Sequence, residues 1–188
     1  MAPEHGRSVD DIIASASLAL FQARNEGPGG IFMYAPALKA AAVARRMHDA
    51  ELHRAVEREE FKLVYQPQVR LPGGELASAE ALLRWRHPKR GVLAPAAFLS
   101  ALESGVLAEP VGRWIIETAC AQASAWRMVD PSFRIGVNLF AAQFRDGRLP
   151  QVLLEALSRH GLASDALELE ITENIVLDRQ QAVVRQLF

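Results

Sequence analysis

The sequence predicts an α/β fold with a parallel sheet. Three observations carry this expectation. After Glu60, short apolar runs recur between segments of helical periodicity. Pro- and Gly-containing stretches such as Leu71-Pro72-Gly73-Gly74 and His160-Gly161 punctuate them. Strand and helix then alternate in regular order, which implies parallel strands joined by crossover helices, in either a doubly wound sheet or a barrel.

The first segment reads as a helix. Ser8 and Asp11 make a start resembling a capping box, with Asp in place of the usual Glu or Gln. Val9, Ile13, Ala16, Leu20 and Ala23 follow at spacings of three and four and form one apolar stripe. Gly27-Pro28-Gly29-Gly30 ends it, and Ile31-Phe32-Met33-Tyr34 reads as a short strand. Residues 36–60 are rich in helix formers and increasingly charged, which suits a connector between domains or an ordinary amphipathic helix.

Beyond Glu60, residues 61–69 and 76–85 read as two strands around a turn at 71–75. A break falls at Lys89-Arg90-Gly91. Pro95 opens a short helix ended by Gly105, and Pro110 opens a longer one marked by Val111, Ile115, Thr118, Gln122 and Trp126. Residues 133–139 form a strand, 149–159 a helix closed by His160-Gly161, 167–171 a strand, and 178–188 the start of a further helix.

Composition narrows the classes of function. With 50% hydrophobic and 23% charged residues the chain reads as a globular protein of one medium or two small domains. A net charge of −1 gives no electrostatic case for binding bulk nucleic acid. The single cysteine, Cys120, sits in an apolar helical stretch and reads as a small core residue, a usage that suits a reducing, cytoplasmic compartment. No apolar run has the length of a membrane span, and the first residues lack the core of a signal peptide.

The candidate site begins in Ala79-Glu80-Ala81-Leu82-Leu83-Arg84-Trp85. A carboxylate is expensive to bury in an apolar strand unless it is paired or binds a metal. Asn138 and Glu170 lie near the ends of two later strands. Polar groups at the carboxyl ends of parallel strands converge. Two carboxylates and an amide oxygen, without Cys or His, form a donor set for Mg²⁺ or Mn²⁺ rather than Zn²⁺. Arg84 shares a strand face with Glu80, where it suits a phosphate oxygen or a plain Glu–Arg ion pair. Gln66 is a neutral donor and acceptor on the neighbouring strand. Glu173 reads equally as a loop-positioning group and as a carboxylate at the start of the next helix. His48 and His53 do not share a helix face, His87 reads as a turn residue, and Trp85, Trp114 and Trp126 read as core.

Tyr65-Gln66-Pro67, Glu80-Ala81-Leu82-Leu83-Arg84-Trp85, His87-Pro88, Val137-Asn138-Leu139, Gln143-Phe144 and Glu168-Leu169-Glu170-Ile171-Thr172-Glu173 occur in this order. Together they closely resemble the EAL domain of bacterial cyclic-di-GMP phosphodiesterases. Residues 16–27 resemble the last helix of a GGDEF (diguanylate cyclase) domain, although the Gly-Gly-Asp-Glu-Phe signature is not in the chain and no cyclase activity is expected. The resemblance implies three parts: residues 1–35 from the end of a GGDEF domain, 36–60 as a helical linker, and 61–188 as the N-terminal half of an EAL domain.

This implies a partial TIM-like (β/α)8 barrel and hydrolysis of cyclic-di-GMP to linear pGpG. Glu80, Asn138 and Glu170 match metal ligands, with Glu80 and Glu170 counted as catalytic. Gln66, Leu82 and Arg84 match substrate contacts, and Glu173 matches a loop-positioning residue. The implied cofactor is Mg²⁺ or Mn²⁺, the implied partner is cyclic-di-GMP, and a homodimer of a longer parent is allowed. A full barrel of this type takes about 250 residues, and about half that length follows Glu60. Half a barrel leaves open sheet edges, so the 188 residues alone are expected to fold marginally. The family's later Asp-Asp-Phe-Gly motif and catalytic lysine are not in this sequence, so no turnover is expected of them. The alternative is a non-catalytic module that binds cyclic-di-GMP or a protein.

Overall fold

The structure, a computed structural model, describes residues 8–26 and 29–171. Glu173 and the helix expected over 178–188 lie outside the described residues. The chain divides into two compact units, one ending at Glu51 and the other beginning at Leu52.

In the first unit, helix α1 (Val9–Glu26) starts as its sequence requires. The Asp11 amide donates to Ser8 Oγ and the Ser8 amide to Asp11 Oδ2, both at 3.1 Å, so two amides at the helix start are satisfied reciprocally. The expected apolar stripe is present but largely exposed, with Val9, Ile13 and Leu20 facing outward. The strand expected at 31–34 does not form, and Ile31 is 93% exposed. Extended backbone must find a ladder partner, and none among the described residues pairs with it. Helix α2 (Pro36–Glu57) follows and runs across the boundary between the units.

The second unit holds the sheet. The end of α2 closes with a helix-terminating motif, in which the Glu60 amide donates to Ala55 O at 2.9 Å and the Glu59 amide to Val56 O at 3.2 Å. Glu59 adopts the left-handed conformation (φ 53°), a position that normally selects glycine.

Strands β1 (Phe61–Val69) and β2 (Leu76–His87) form an antiparallel hairpin, with Gln66 opposite Glu80 and Lys62 opposite Arg84. Gly73 and Gly74 supply positive φ in its turn. A two-stranded return across a tight turn must be antiparallel, so the first strand departs from the all-parallel expectation. A strand not anticipated from the sequence, β3 (Gly91–Leu93), folds back onto Trp85–His87. Three residues are too few to show a periodicity.

A 3-10 turn (Pro95–Ala97), helix α3 (Leu99–Ser104) and helix α4 (Ala108–Arg127) cross over to β4 (Arg134–Asn138), which lies parallel to β2. Pro110 sits inside the first turn of α4 rather than opening it. That is tolerated because the first amides of a helix have no intrahelical acceptor. Helix α5 (Leu149–Arg159) then leads to β5 (Leu167–Glu170), parallel to β4. The sheet order is β1-β2-β4-β5, with β3 on β2.

One face of this sheet is covered by helices. Ala79, Ala81, Leu83 and Trp85 of β2 and Ile135 and Val137 of β4 pack against Val111, Ile115, Ala119 and Ala123 of α4. Trp85 is 1% exposed, lies against Phe61 and Phe98, and donates its indole N–H to Glu60 Oε2 at 2.9 Å. Trp114 is 37% exposed, contrary to its expected core position. It lies off the helix stripe of Val111, Ile115, Ala119 and Ala123 that meets the sheet. Cys120 is fully buried between α4 and α5, and burial together with the Glu117 carboxylate pushes its thiol up to about 11, so it stays protonated and inert.

Glycine relieves the left-handed strain at residue 59 but gives back part of the gain through unfolded-chain entropy. Glu59→Gly is therefore expected to stabilise the chain by about 0.5–1 kcal/mol in urea unfolding, and Glu59→Val to destabilise it.

Candidate functional site

Alternation along β2 sends Ser78, Glu80, Leu82 and Arg84 to the face that α4 leaves uncovered. Register extends that face across the sheet. Glu80 is level with Gln66 on β1 and Gly136 on β4, Gly136 is level with Glu168 on β5, and Asn138 pairs with Glu170. Asn138 ends β4 and Glu170 ends β5, so both stand at carboxyl ends of parallel strands. The two carboxylates and the amide picked out by their chemistry are thus brought onto one face.

They also touch. Asn138 Nδ2 donates to Glu80 Oε1 at 2.8 Å. The carboxyl of Glu170 is raised above the usual carboxylate range by burial first, then by the charge of Glu80, a hydrogen bond with Glu80 and the charge of Glu168. Two carboxyl groups in contact cannot both ionise without cost unless a proton or a cation lies between them.

Gly136 makes this contact possible. A Cβ placed on it would lie 2.5 Å from Glu170 Oε1 and 3.8 Å from Glu80 Cα. The bare backbone of β4 is the gap across which Glu170 reaches Glu80. Glu168, by contrast, is held by Arg134 at 2.5 Å and serves the sheet.

The remaining candidates separate clearly. Arg84 makes no ion pair among the described residues. Its guanidinium donates to Leu83 O at 2.8 Å, so the Glu–Arg pair weighed from sequence does not form. Gln66 is exposed, and Leu82 is half-buried on the same face. His87 accepts the amides of Lys89 and Arg90 through Nδ1, as a turn residue does.

Gln143 carries a role that its type did not announce. It is buried, and its Oε1 accepts the Phe140 amide at 2.7 Å. A Cβ at Gly112 of α4 would lie 2.5 Å from its Cδ. Helix α4 therefore clamps the segment leaving Asn138. Only the pairing of Gly112 with Gln143, distant in sequence, could have signalled it.

The oxygen donors fit a hard divalent cation, since the acid pair calls for positive charge and no thiolate or imidazole intrudes. Asn138 would have to present Oδ1 rather than Nδ2 to such an ion. Among the described residues no group of three or more His, Cys, Asp or Glu forms, so the set consists of two carboxylates and one amide.

The chain is thus an α/β barrel segment with an oxygen-donor cluster at the carboxyl ends of its parallel strands. The family model of the EAL domain matches residues 49–187, and the chain belongs to the EAL domain family. The Sinorhizobium fredii protein y4lL is 37% identical over 94% of this chain and 21% of its own length. The bifunctional diguanylate cyclase/cyclic di-GMP phosphodiesterase MucR of Pseudomonas aeruginosa is 32% identical over 98% of this chain and 28% of its own. The chain therefore spans between 21% and 28% of the length of these relatives. A solved structure of the MucR phosphodiesterase in complex with c-di-GMP superposes with a TM-score of 0.68 at 36% identity, covering 73% of this chain and 57% of that one.

A carboxyl with a raised folded-state value holds its proton more tightly folded than unfolded. In the absence of divalent cations, stability is therefore expected to fall as pH rises from the ordinary carboxylate value through the raised value of Glu170. Glu170→Gln should remove that decline from the urea midpoint measured against pH. Gly136→Ala is expected to cost about 1–3 kcal/mol. Most of that should return in Gly136→Ala/Glu170→Ala, because the added methyl meets the Glu170 carboxylate; a double-mutant cycle in urea measures it.

Proposed function

We propose that this chain supplies part of the active site of a cyclic-di-GMP phosphodiesterase, which opens one phosphodiester bond of the ring to give linear pGpG. The observation that carries the reading is the convergence of Glu80, Asn138 and Glu170 on the uncovered sheet face of an EAL domain. The named activity of MucR and the ligand of its solved structure support it.

In this reading Glu80, Asn138 and Glu170 hold Mg²⁺ or Mn²⁺. When bound, the ion would polarise a phosphoryl oxygen and lower the pKa of a water. Glu80 and Glu170 supply the negative charge that concentrates the cation, and Asn138 fixes the rotamer of Glu80. Gln66 and Arg84 orient the nucleotide on the hairpin side, Arg84 by donating to phosphate oxygens and Gln66 by pairing with a polar edge. Leu82 offers an apolar surface between them. Glu173 completes the set as a positioning group. The segment before residue 36 is read as the end of a GGDEF domain, supported by an alignment with MucR that extends well before residue 49.

The test is to incubate the purified gene product with cyclic-di-GMP and separate the nucleotides. Linear product is expected with Mg²⁺ or Mn²⁺ and not with chelator. Glu80→Gln and Glu170→Gln should each slow its formation more than about 100-fold. Two carboxylates and one amide fill only part of the shells of two cations. A polypeptide of these 188 residues is therefore expected to bind without measurable turnover, and one that carries them together with further metal ligands to form the product. Binding without turnover by the latter would refute hydrolysis and leave a nucleotide-binding module.

A further inference from the structure

The hairpin of β1 and β2 extends past the last parallel pairing, Ala81 with Val137, and its uncovered face changes character there. Lys62 stands directly opposite Arg84, and Arg86 follows on the same face, since alternate residues of a strand share a face. Like charges directly opposite each other are unfavourable in an antiparallel pair, and a sheet normally relieves them with an acid. Here none does so. Neither Lys62 nor Arg86 has a side-chain hydrogen bond or ion pair among the described residues, and Arg84 bonds only a backbone carbonyl. Several other arginines of the same unit are matched, among them Arg134 with Glu168, Arg127 with Asp165 and Arg159 with Glu117. Glu60, whose backbone carbonyl accepts the Arg86 amide at 2.7 Å, uses its carboxylate to accept the indole of Trp85.

We propose that Lys62 and Arg86 join Arg84 in a three-cation site for a phosphodiester group of the ligand. The inference rests on the functional reading above and extends it. The carboxylates Glu80 and Glu170 occupy the middle of the face and repel bare phosphate, whereas the hairpin end attracts it. A ligand with two phosphodiester groups can place one at each end. Arg84 then acts as a fork at the centre, and Lys62 and Arg86 are point and planar donors on either side. These two residues select for the doubly charged ring over nucleotides with one phosphate.

Calorimetry of the purified gene product with cyclic-di-GMP in Ca²⁺, at low salt, tests this. Lys62→Gln and Arg86→Gln are each expected to weaken binding about 5- to 20-fold, and Lys62→Arg to restore most of it. The deficit should shrink in 1 M NaCl, where screening reaches within about 3 Å. Thermal midpoints should stay within a degree or two, because both side chains lie on the uncovered face. Variants that bind within twofold of the unaltered protein overturn the inference and leave the functional reading intact. Equal losses in Lys62→Arg and Lys62→Gln also overturn it, since charge would then not be the cause. If the unaltered protein binds no cyclic-di-GMP, the functional reading fails and this inference falls with it.

Discussion

Strand β2 must satisfy two environments at once, and the rest of the second unit is arranged around that demand. Its odd-numbered residues from Ala79 to Trp85 are buried under helix α4, while Ser78, Glu80, Leu82 and Arg84 face the other way. A slip of one residue in register would bury Glu80 and Arg84 and expose Trp85, at a cost of several kcal/mol for each buried unpaired charge. Register is thus set by the apolar face, and the polar face inherits its alignment.

That inheritance explains how the oxygen-donor side chains come to meet. Glu80 and Glu170 meet because β4 presents a glycine between them, and Asn138 restrains Glu80 by a hydrogen bond. The contact is unfavourable when both acids are charged, and it adds to burial, the larger cause, in raising the Glu170 carboxyl. Local destabilisation of this kind is characteristic of sites organised for a partner that neutralises them. The hairpin end carries the opposite imbalance, in Lys62, Arg84 and Arg86. The uncovered face therefore carries acidic groups in its middle and basic groups at the end of the hairpin away from its turn.

Most elements were legible because their causes are local. Ser8 with Asp11 started α1, Gly73-Gly74 turned the hairpin, and the apolar alternation of β2 marked a strand. Failures came where the cause was not local. Ile31–Tyr34 has the composition of a strand, but among the described residues no strand ladder forms there. β3 exists only because Gly91–Leu93 can pair with the end of β2. Trp114 lies off the stripe of its helix that meets the sheet, and Gln143 is clamped by a glycine thirty-one residues away in the chain. Residue type cannot report such facts.

By itself, the sequence determined the α/β class and the family and singled out Glu80, Asn138 and Glu170, since these depend on residue chemistry and on motif order. Only the tertiary structure decided that the first strand runs antiparallel, that Arg84 meets no acid among the described residues, and that Gly136 opens the gap through which the two carboxyl groups meet. Pairing direction and side-chain contact depend on distances between residues far apart in the chain, and those distances exist only once the sheet has closed against α4.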